Sequence, residues 1–157
     1  MSEKRVSATR RIAAPAAEIY AIVSSPAGHV AIDGSGMLVA TDAAQPTKVG
    51  DVFEMHMDRR PLGDIPNMTE YDVTNTVTRF EDNRVFEWAI GVRDRGNVGH
   101  VYGWELEPVG DHATDVTNYC DWTDLPETML NARPWPVVPV EMLEQSVANL
   151  EQLATRA

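Results

Sequence analysis

The alternation of apolar and polar residues predicts one β-strand near the start of the chain and a series of strands from its middle onward. Residues 6–12 place Val6, Ala8 and Ile12 on one side, as in a half-buried strand. The same period of two recurs over 52–59, 71–80, 85–91, 100–108 and 114–122. The gaps between successive strands carry Gly, Asn or Asp and have hairpin length, so they predict an antiparallel meander.

Helical spacing replaces this alternation in two short segments after the first strand and in one long segment at the end. Pro15 and Pro26 each open a short helix, and the second ends at a turn over residues 33–36. Residues 142–154 carry an apolar stripe opposite a Glu-, Gln- and Asn-rich face, formed by Leu143, Val147, Leu150 and Ala154. This order predicts an α+β fold, with a curved antiparallel sheet of about seven strands around a long C-terminal helix.

Composition narrows the class of protein. A chain of 157 residues without a Gly-, Ser- or Pro-rich linker predicts a single domain over 1–157. A net charge of −11 argues against nucleic acid as a partner, because that affinity comes largely from Lys and Arg. Nothing resembles a signal peptide or a membrane-inserting segment, so we expect a cytoplasmic protein. We expect it to be a monomer or a homodimer.

The strand parity also predicts an inward face that mixes large apolar and polar side chains. The apolar members are Phe53, Met55, Met57, Phe86, Trp88, Trp104 and Trp122. The polar members are Tyr71, Asn75, His100, Tyr102 and Asn118. In a solid core each unpaired polar group costs about 1–3 kcal/mol, whereas a ligand cavity accommodates a few of them. The alternatives are a register that is wrong by one residue, or polar groups that pair with one another and with water.

Short segments spread over nearly the whole chain carry a family resemblance. They are RIAAP at 11–15, the stretch 29–36 ending in DGSG, VGD at 49–51, NTV at 75–77, WELEP at 104–108, and TDVT at 114–117 with DW at 121–122. In this order and spacing the chain resembles the START/Bet v 1-like helix-grip superfamily (SRPBCC), and within it the polyketide cyclase/dehydrase and lipid-transport type. The resemblance implies an apolar ligand held in a cavity between the sheet and the C-terminal helix.

Two functions are compatible with this resemblance, because the superfamily holds carriers, receptors, co-chaperones and enzymes. The first is binding of a small hydrophobic molecule (a lipid, a polyketide or another aromatic metabolite), with ligand-binding candidates Phe53, Met55, Met57, Tyr71, Asn75, Trp88, His100, Tyr102, Trp104 and Asn118. The alternative is a cyclase/dehydratase-type enzyme, with catalytic candidates Tyr71, His100, Tyr102 and Arg10. A third, weaker interpretation is an interaction module of the co-chaperone kind.

The polyketide cyclases bear on the second function, because in them a cavity Arg and a cavity Tyr have been proposed to take part. This chain places no Arg in mid-cavity by parity. Arg10 has the inward parity but lies near the end of its strand, and Arg59 and Arg79 also lie at strand ends. We therefore favour the binding function.

Other reactive side chains give weaker signals. His29 and Asp33 share a helix face and could form an acid–base pair, but we favour local hydrogen bonding, with Asp33 capping the turn before Gly34. No third residue at ligand spacing supports a metal site. Cys120, the only cysteine, has inward parity and predicts an inert buried thiol. No phosphate-loop, dinucleotide-binding or nucleophile motif is present, so we expect no cofactor and no metal.

Overall fold

A seven-stranded antiparallel sheet forms the body of the computed structural model, which describes residues 4–92 and 96–156. The elements are β1 (Arg5–Ile12), α1 (Ala16–Val23), α2 (Pro26–Ile32), β2 (Leu38–Ala40), β3 (Val52–Asp58), β4 (Glu70–Glu81), β5 (Val85–Val92), β6 (Gly96–Pro108), β7 (Thr114–Asp121), α3 (Glu127–Ala132) and α4 (Val140–Ala154). The α+β architecture, with two short helices after the first strand and a long C-terminal helix, confirms the predicted fold class.

The strand order is β1-β7-β6-β5-β4-β3-β2, so β2 to β7 form the predicted meander and β1 closes on β7. Register shifts interrupt the β4–β5 pairing at Val77/Arg79 and the β5–β6 pairing at Ala89/Gly91. Irregularities of this kind bend strands and increase their twist, which curves the sheet. Burial alternates as predicted: Phe53 and Met55 on β3 are 1% exposed, whereas Glu54 between them is exposed.

The helices cover the concave face of this sheet. α4 packs against β1, β7, α1 and α2, and it buries Leu143, Val147 and Leu150 in the main core. Ser25 is the N-cap of α2, and its hydroxyl accepts a hydrogen bond from the Gly28 N–H at 3.2 Å. Among the described residues, no helix has the length and apolar character needed to span a membrane.

The structure corrects several element boundaries. α3 was not predicted, because its six residues include no buried side chain and therefore leave no apolar stripe in the sequence. α4 begins at Val140 rather than at 142, and β6 begins at Gly96 rather than at 100. The predicted turn between β5 and β6 includes residues 93–95, which lie outside the described part of the chain.

Candidate functional site: a cavity beneath the C-terminal helix

A cavity of about 140 Å³ lies between the concave face of the sheet, the segment from α2 to β2, and α4. Most of its lining is apolar. The sheet contributes Met55, Met57, Tyr71, Val73, Asn75, Trp88, Ile90, Tyr102, Trp104 and Asn118. The helices and loops contribute His29, Ile32, Asp33, Ser35, Met37, Leu38, Val137, Val138, Met142, Leu143 and Ser146. A largely apolar cavity with a few polar groups is the usual form of a small-molecule site.

Eight of the ten predicted ligand-binding residues line this cavity, and Phe53 and His100 do not. Both have the predicted inward parity, but their positions along the strands put them beyond the cavity's ends. Phe53 packs in the solid core, where its ring lies 6.1 Å from that of Phe86. The ring of His100 packs against Tyr102 at 5.5 Å and against Trp135 at 4.9 Å. The alternation of residues predicts which face of a strand a side chain occupies. It does not predict where along the strand a cavity begins and ends.

The four catalytic candidates do not come together. Tyr71 and Tyr102 line the cavity, whereas His100 lies beyond its wall. Arg10 is wrong as a cavity residue: its guanidinium donates to Glu151 of α4 at 2.9 Å, and almost half of its side chain is exposed. A carboxylate at the end of α4 holds Arg10 at the outer edge of the sheet.

His29 is a cavity residue that was not among the ligand-binding candidates. Its Nε2 donates to the carbonyl of Val23 at 2.6 Å, so Nδ1 is the free acceptor of the neutral ring. The imidazole lies 4.5 Å from the ring of Trp88. Burial lowers the pKa of His29 to about 4, because the charged form would lose its solvation. At neutral pH the cavity therefore presents an uncharged imidazole.

Asp33 lines the cavity but uses its carboxylate within its own turn. It accepts hydrogen bonds from the Ser35 N–H at 3.0 Å, the Ser35 hydroxyl at 2.8 Å and the Leu38 N–H at 3.1 Å. Gly34 binds this turn to α4 by donating to the Ser146 hydroxyl at 2.8 Å. A Cβ at Gly34 would lie 2.5 Å from the carbonyl oxygen of Met142, so only glycine permits this approach. The predicted local hydrogen bonding of Asp33 is confirmed, and His29 bonds the Val23 carbonyl rather than Asp33.

Two amides on the cavity wall differ in their partners. Asn118 donates from Nδ2 to the Gly103 carbonyl at 2.9 Å. Asn75 is 4% exposed, and its Oδ1 has no hydrogen-bond partner among the described residues. Because buried polar groups in folded proteins are normally paired, an unpaired amide oxygen on a cavity wall indicates a missing partner.

The guanidinium of Arg59 contacts the cavity-lining residue Tyr71 from outside the cavity. The sequence did not predict this contact. Arg59 follows β3, is 9% exposed and holds Asp64 through Nε and Nη2 at 2.7 Å each. Its Nη1 donates to the Tyr71 hydroxyl at 3.2 Å. Arg133 also contacts Asp64. Two cations therefore share one carboxylate at this end of the cavity.

Burial keeps the Cys120 thiol and the Tyr102 phenol in their protonated forms. The Cys120 thiol is buried and hydrogen-bonded to the Tyr102 hydroxyl, and burial raises its pKa to about 12. Burial also raises the pKa of Tyr102 well above its ordinary value. Within residues 4–92 and 96–156, no group of three or more His, Cys, Asp and Glu side chains is arranged to hold a metal ion.

A curved antiparallel sheet wrapped around a C-terminal helix, with a cavity between the two, defines a helix-grip domain. The profile of the family described as "Polyketide cyclase / dehydrase and lipid transport" matches residues 3–157. The chain belongs to this family, and the resemblance seen in the sequence is confirmed.

Similar proteins support the fold. Uncharacterized protein Rv0088 from Mycobacterium tuberculosis is 36% identical over 120 residues, which cover 75% of this chain and 47% of that protein. The chain thus spans about half the length of the curated relatives it matches. Norcoclaurine synthase from Thalictrum flavum has a TM-score of 0.65 at 12% identity, covering 100% of this chain and 98% of that chain. Major latex-like protein 151 from Panax ginseng has a TM-score of 0.64 at 12% identity, covering 96% and 97%. At these identities the likeness of the structures concerns the Bet v 1-like fold alone.

Proposed function

We propose that this domain binds a small hydrophobic molecule, such as a lipid, a polyketide or another aromatic metabolite, in the cavity between the sheet and α4. The observation that carries the proposal is the unpaired Oδ1 of Asn75 on an otherwise largely apolar wall. Leaving such an acceptor without a partner costs about 1–3 kcal/mol. A ligand that donates a hydrogen bond to Asn75 removes this cost.

The aromatic part of the wall supports a ligand with a flat or extended apolar body. Trp88 lies between the rings of His29 at 4.5 Å and Tyr102 at 6.2 Å, and the Trp88 and Tyr102 rings are stacked. Met55 and Met57 line the same cavity. Stacked rings favour planar partners, and thioethers adapt to varied shapes. This combination suits several related ligands rather than one.

The test is native mass spectrometry of the purified protein, followed by solvent extraction and identification of any retained molecule. We expect an apolar molecule to be retained by the wild type and to be lost from Val73→Phe, which fills the cavity. Val39→Phe is the matched control, because Val39 is 45% exposed on β2, away from the cavity wall. Retention by folded Val73→Phe at the wild-type level would contradict the proposed site.

A second function, a cyclase/dehydratase-type reaction in the same cavity, is favoured by one observation. The Tyr71 oxygen accepts a hydrogen bond from Arg59, which leaves the proton of the phenol free to be donated into the cavity. General acid catalysis of this kind typically contributes a factor of 10²–10⁴. With an extracted ligand as substrate, Tyr71→Phe should then reduce turnover by that factor and leave binding almost unchanged. Binding without turnover supports the carrier function instead.

A further inference from the structure

Unpaired polar atoms are concentrated at the Arg59 end of the cavity. Three buried side-chain atoms among the described residues have no hydrogen-bond partner: Asn75 Oδ1, His100 Nδ1 and Arg133 Nε. Arg133 shares Asp64 with Arg59, and the ring of His100 lies 4.9 Å from that of Trp135, two residues along the chain from Arg133. His100 is 6% exposed, so bulk water does not supply its missing partner. The missing partner of Arg133 Nε–H is an acceptor, and His100 Nδ1 lacks an acceptor in the tautomer that carries the proton there.

Among the residues that the structure describes, the charges at this end do not balance. Arg59 and Arg133 both contact Asp64, so two guanidinium groups share one carboxylate and one positive charge remains. The side chains of Arg59, Asp64 and Arg133 are 11%, 22% and 26% exposed, which limits the screening of that charge by water. A buried charge without a counterion is costly. One additional negative charge would neutralise this end of the cavity.

The Tyr71 hydroxyl connects the cationic cluster with the cavity. Tyr71 lines the cavity and its oxygen accepts from Arg59, so its own proton is available to an acceptor on the cavity side. Guanidinium and phenol groups donate strongly to carboxylates, because hydrogen bonds to a charged partner are about twice as strong as neutral ones.

We propose that the Tyr71 hydroxyl, together with the guanidinium groups of Arg59 and Arg133 behind it, forms a subsite for the carboxylate of an amphipathic acid whose apolar body fills the cavity. A carboxylate carries the single negative charge that the cluster lacks, and Tyr71 gives it contact with the cluster from the cavity side. This subsite rests on the proposed binding function and makes it more specific, since it selects apolar acids over apolar alcohols of the same length.

The experiment compares decanoate with decan-1-ol by isothermal titration calorimetry at pH 7.5. The wild type should bind decanoate at least tenfold more tightly than the alcohol. Arg133→Gln should abolish this preference and leave binding of the alcohol unchanged. Arg60→Gln is the matched control: it removes the same charge from a neighbouring side chain that is 62% exposed and bound to Asp58, and it should keep the preference.

Asp64→Asn separates a binding role of Arg133 from a merely structural one. If the Arg133–Asp64 ion pair is only structural, Asp64→Asn and Arg133→Gln break the same ion pair. Both variants should then weaken the binding of decanoate and of decan-1-ol alike. If the cluster binds the ligand's carboxylate, Asp64 competes with it, and Asp64→Asn should tighten binding of decanoate severalfold while that of the alcohol stays constant. A thermal melt of each variant establishes that it is folded. Weaker binding of decanoate by folded Asp64→Asn would overturn the proposal.

Further outcomes distinguish the subsite from the cavity. Equal affinity of the wild type for acid and alcohol would overturn the carboxylate subsite while the proposed binding function stands. If neither probe binds but acetate binds in an Arg133-dependent manner, the cluster is a site for a free anion and the carboxylate subsite is overturned, whereas the proposed binding function is decided by extraction of a retained molecule from the purified protein. If acetate competes with decanoate only at concentrations far above those of decanoate, the apolar chain contributes to binding, as proposed.

Discussion

Replacement of Asn75 by leucine tests whether this amide serves the ligand or the fold. Leucine has the same number of side-chain heavy atoms as asparagine but no hydrogen-bonding group. In the ligand-free protein Oδ1 has no partner, so the substitution removes an uncompensated buried acceptor whose cost is about 1–3 kcal/mol. We therefore expect the melting temperature of ligand-free Asn75→Leu to be unchanged or raised, by about 2–4 °C for each kcal/mol at this chain length.

The same substitution should weaken ligand binding. A neutral hydrogen bond contributes about 0.5–1.5 kcal/mol, so its loss lowers the affinity by up to about tenfold. The assay pairs a thermal melt of ligand-free protein with calorimetric titration of the molecule extracted from the wild type. Any gain in stability with a simultaneous loss of affinity is the signature of a residue that orients a ligand.

Asn118→Leu provides the matched control on the same cavity wall. Asn118 already donates to the Gly103 carbonyl, so its loss removes an existing hydrogen bond and should destabilise the ligand-free protein by about 1–3 kcal/mol. The two variants should thus shift the melting temperature differently. If Asn75→Leu lowers the stability as much as Asn118→Leu does and leaves ligand affinity intact, Asn75 is a structural residue and our reasoning is refuted.

Three further predictions concern the core, the aromatic wall and pH. Leu150→Ala removes a side chain that is 0% exposed and should cost about 2–5 kcal/mol in a urea titration, whereas Glu144→Ala on the exposed face should change the stability by less than about 0.5 kcal/mol. Ligand binding should change the intrinsic fluorescence, and Trp104→Phe should remove part of that change, because Trp88 and Trp104 both line the cavity. Unchanged emission from all tryptophans on demonstrated binding would contradict this placement. The stability that neutral His29 contributes is fully present above its ordinary pKa of 6.5 and is lost as pH falls towards its folded pKa of about 4, because the unfolded chain takes up the proton first. The stability of His29→Gln, which keeps a donor for Val23, should therefore fall less between pH 7 and pH 5, as measured by urea titration at each pH.

The sheet and the long helix could be predicted from the sequence because their signals are local. Phe53, Met55 and Met57 alternate with polar residues, and a strand places alternate side chains on one face wherever it lies in the fold. The same holds for the stripe of Leu143, Val147 and Leu150 on α4. α3 escaped detection because a six-residue helix without a buried face has no such period.

The candidate site was predicted only as a face of the sheet. Neighbouring inward positions such as Phe53 and Met55 have the same parity, yet one packs in the core and the other lines the cavity. His100 and Tyr102 differ in the same way. What separates the members of each pair is packing by other elements, since Phe53 packs against His29 and Phe86, and His100 packs against Trp135. That packing depends on contacts between elements far apart in the chain.

What the sequence determined by itself is the set of elements, their order, and which side chains of each strand point inward, because these follow from periods of two and 3.6 residues in short windows. Only the tertiary structure decided that Arg59 reaches Tyr71, that Arg133 shares Asp64 across 69 positions of sequence, and that Asn75 is left without a partner. Charges and hydrogen bonds of this kind depend on distances in space, and no local pattern along the chain records those distances.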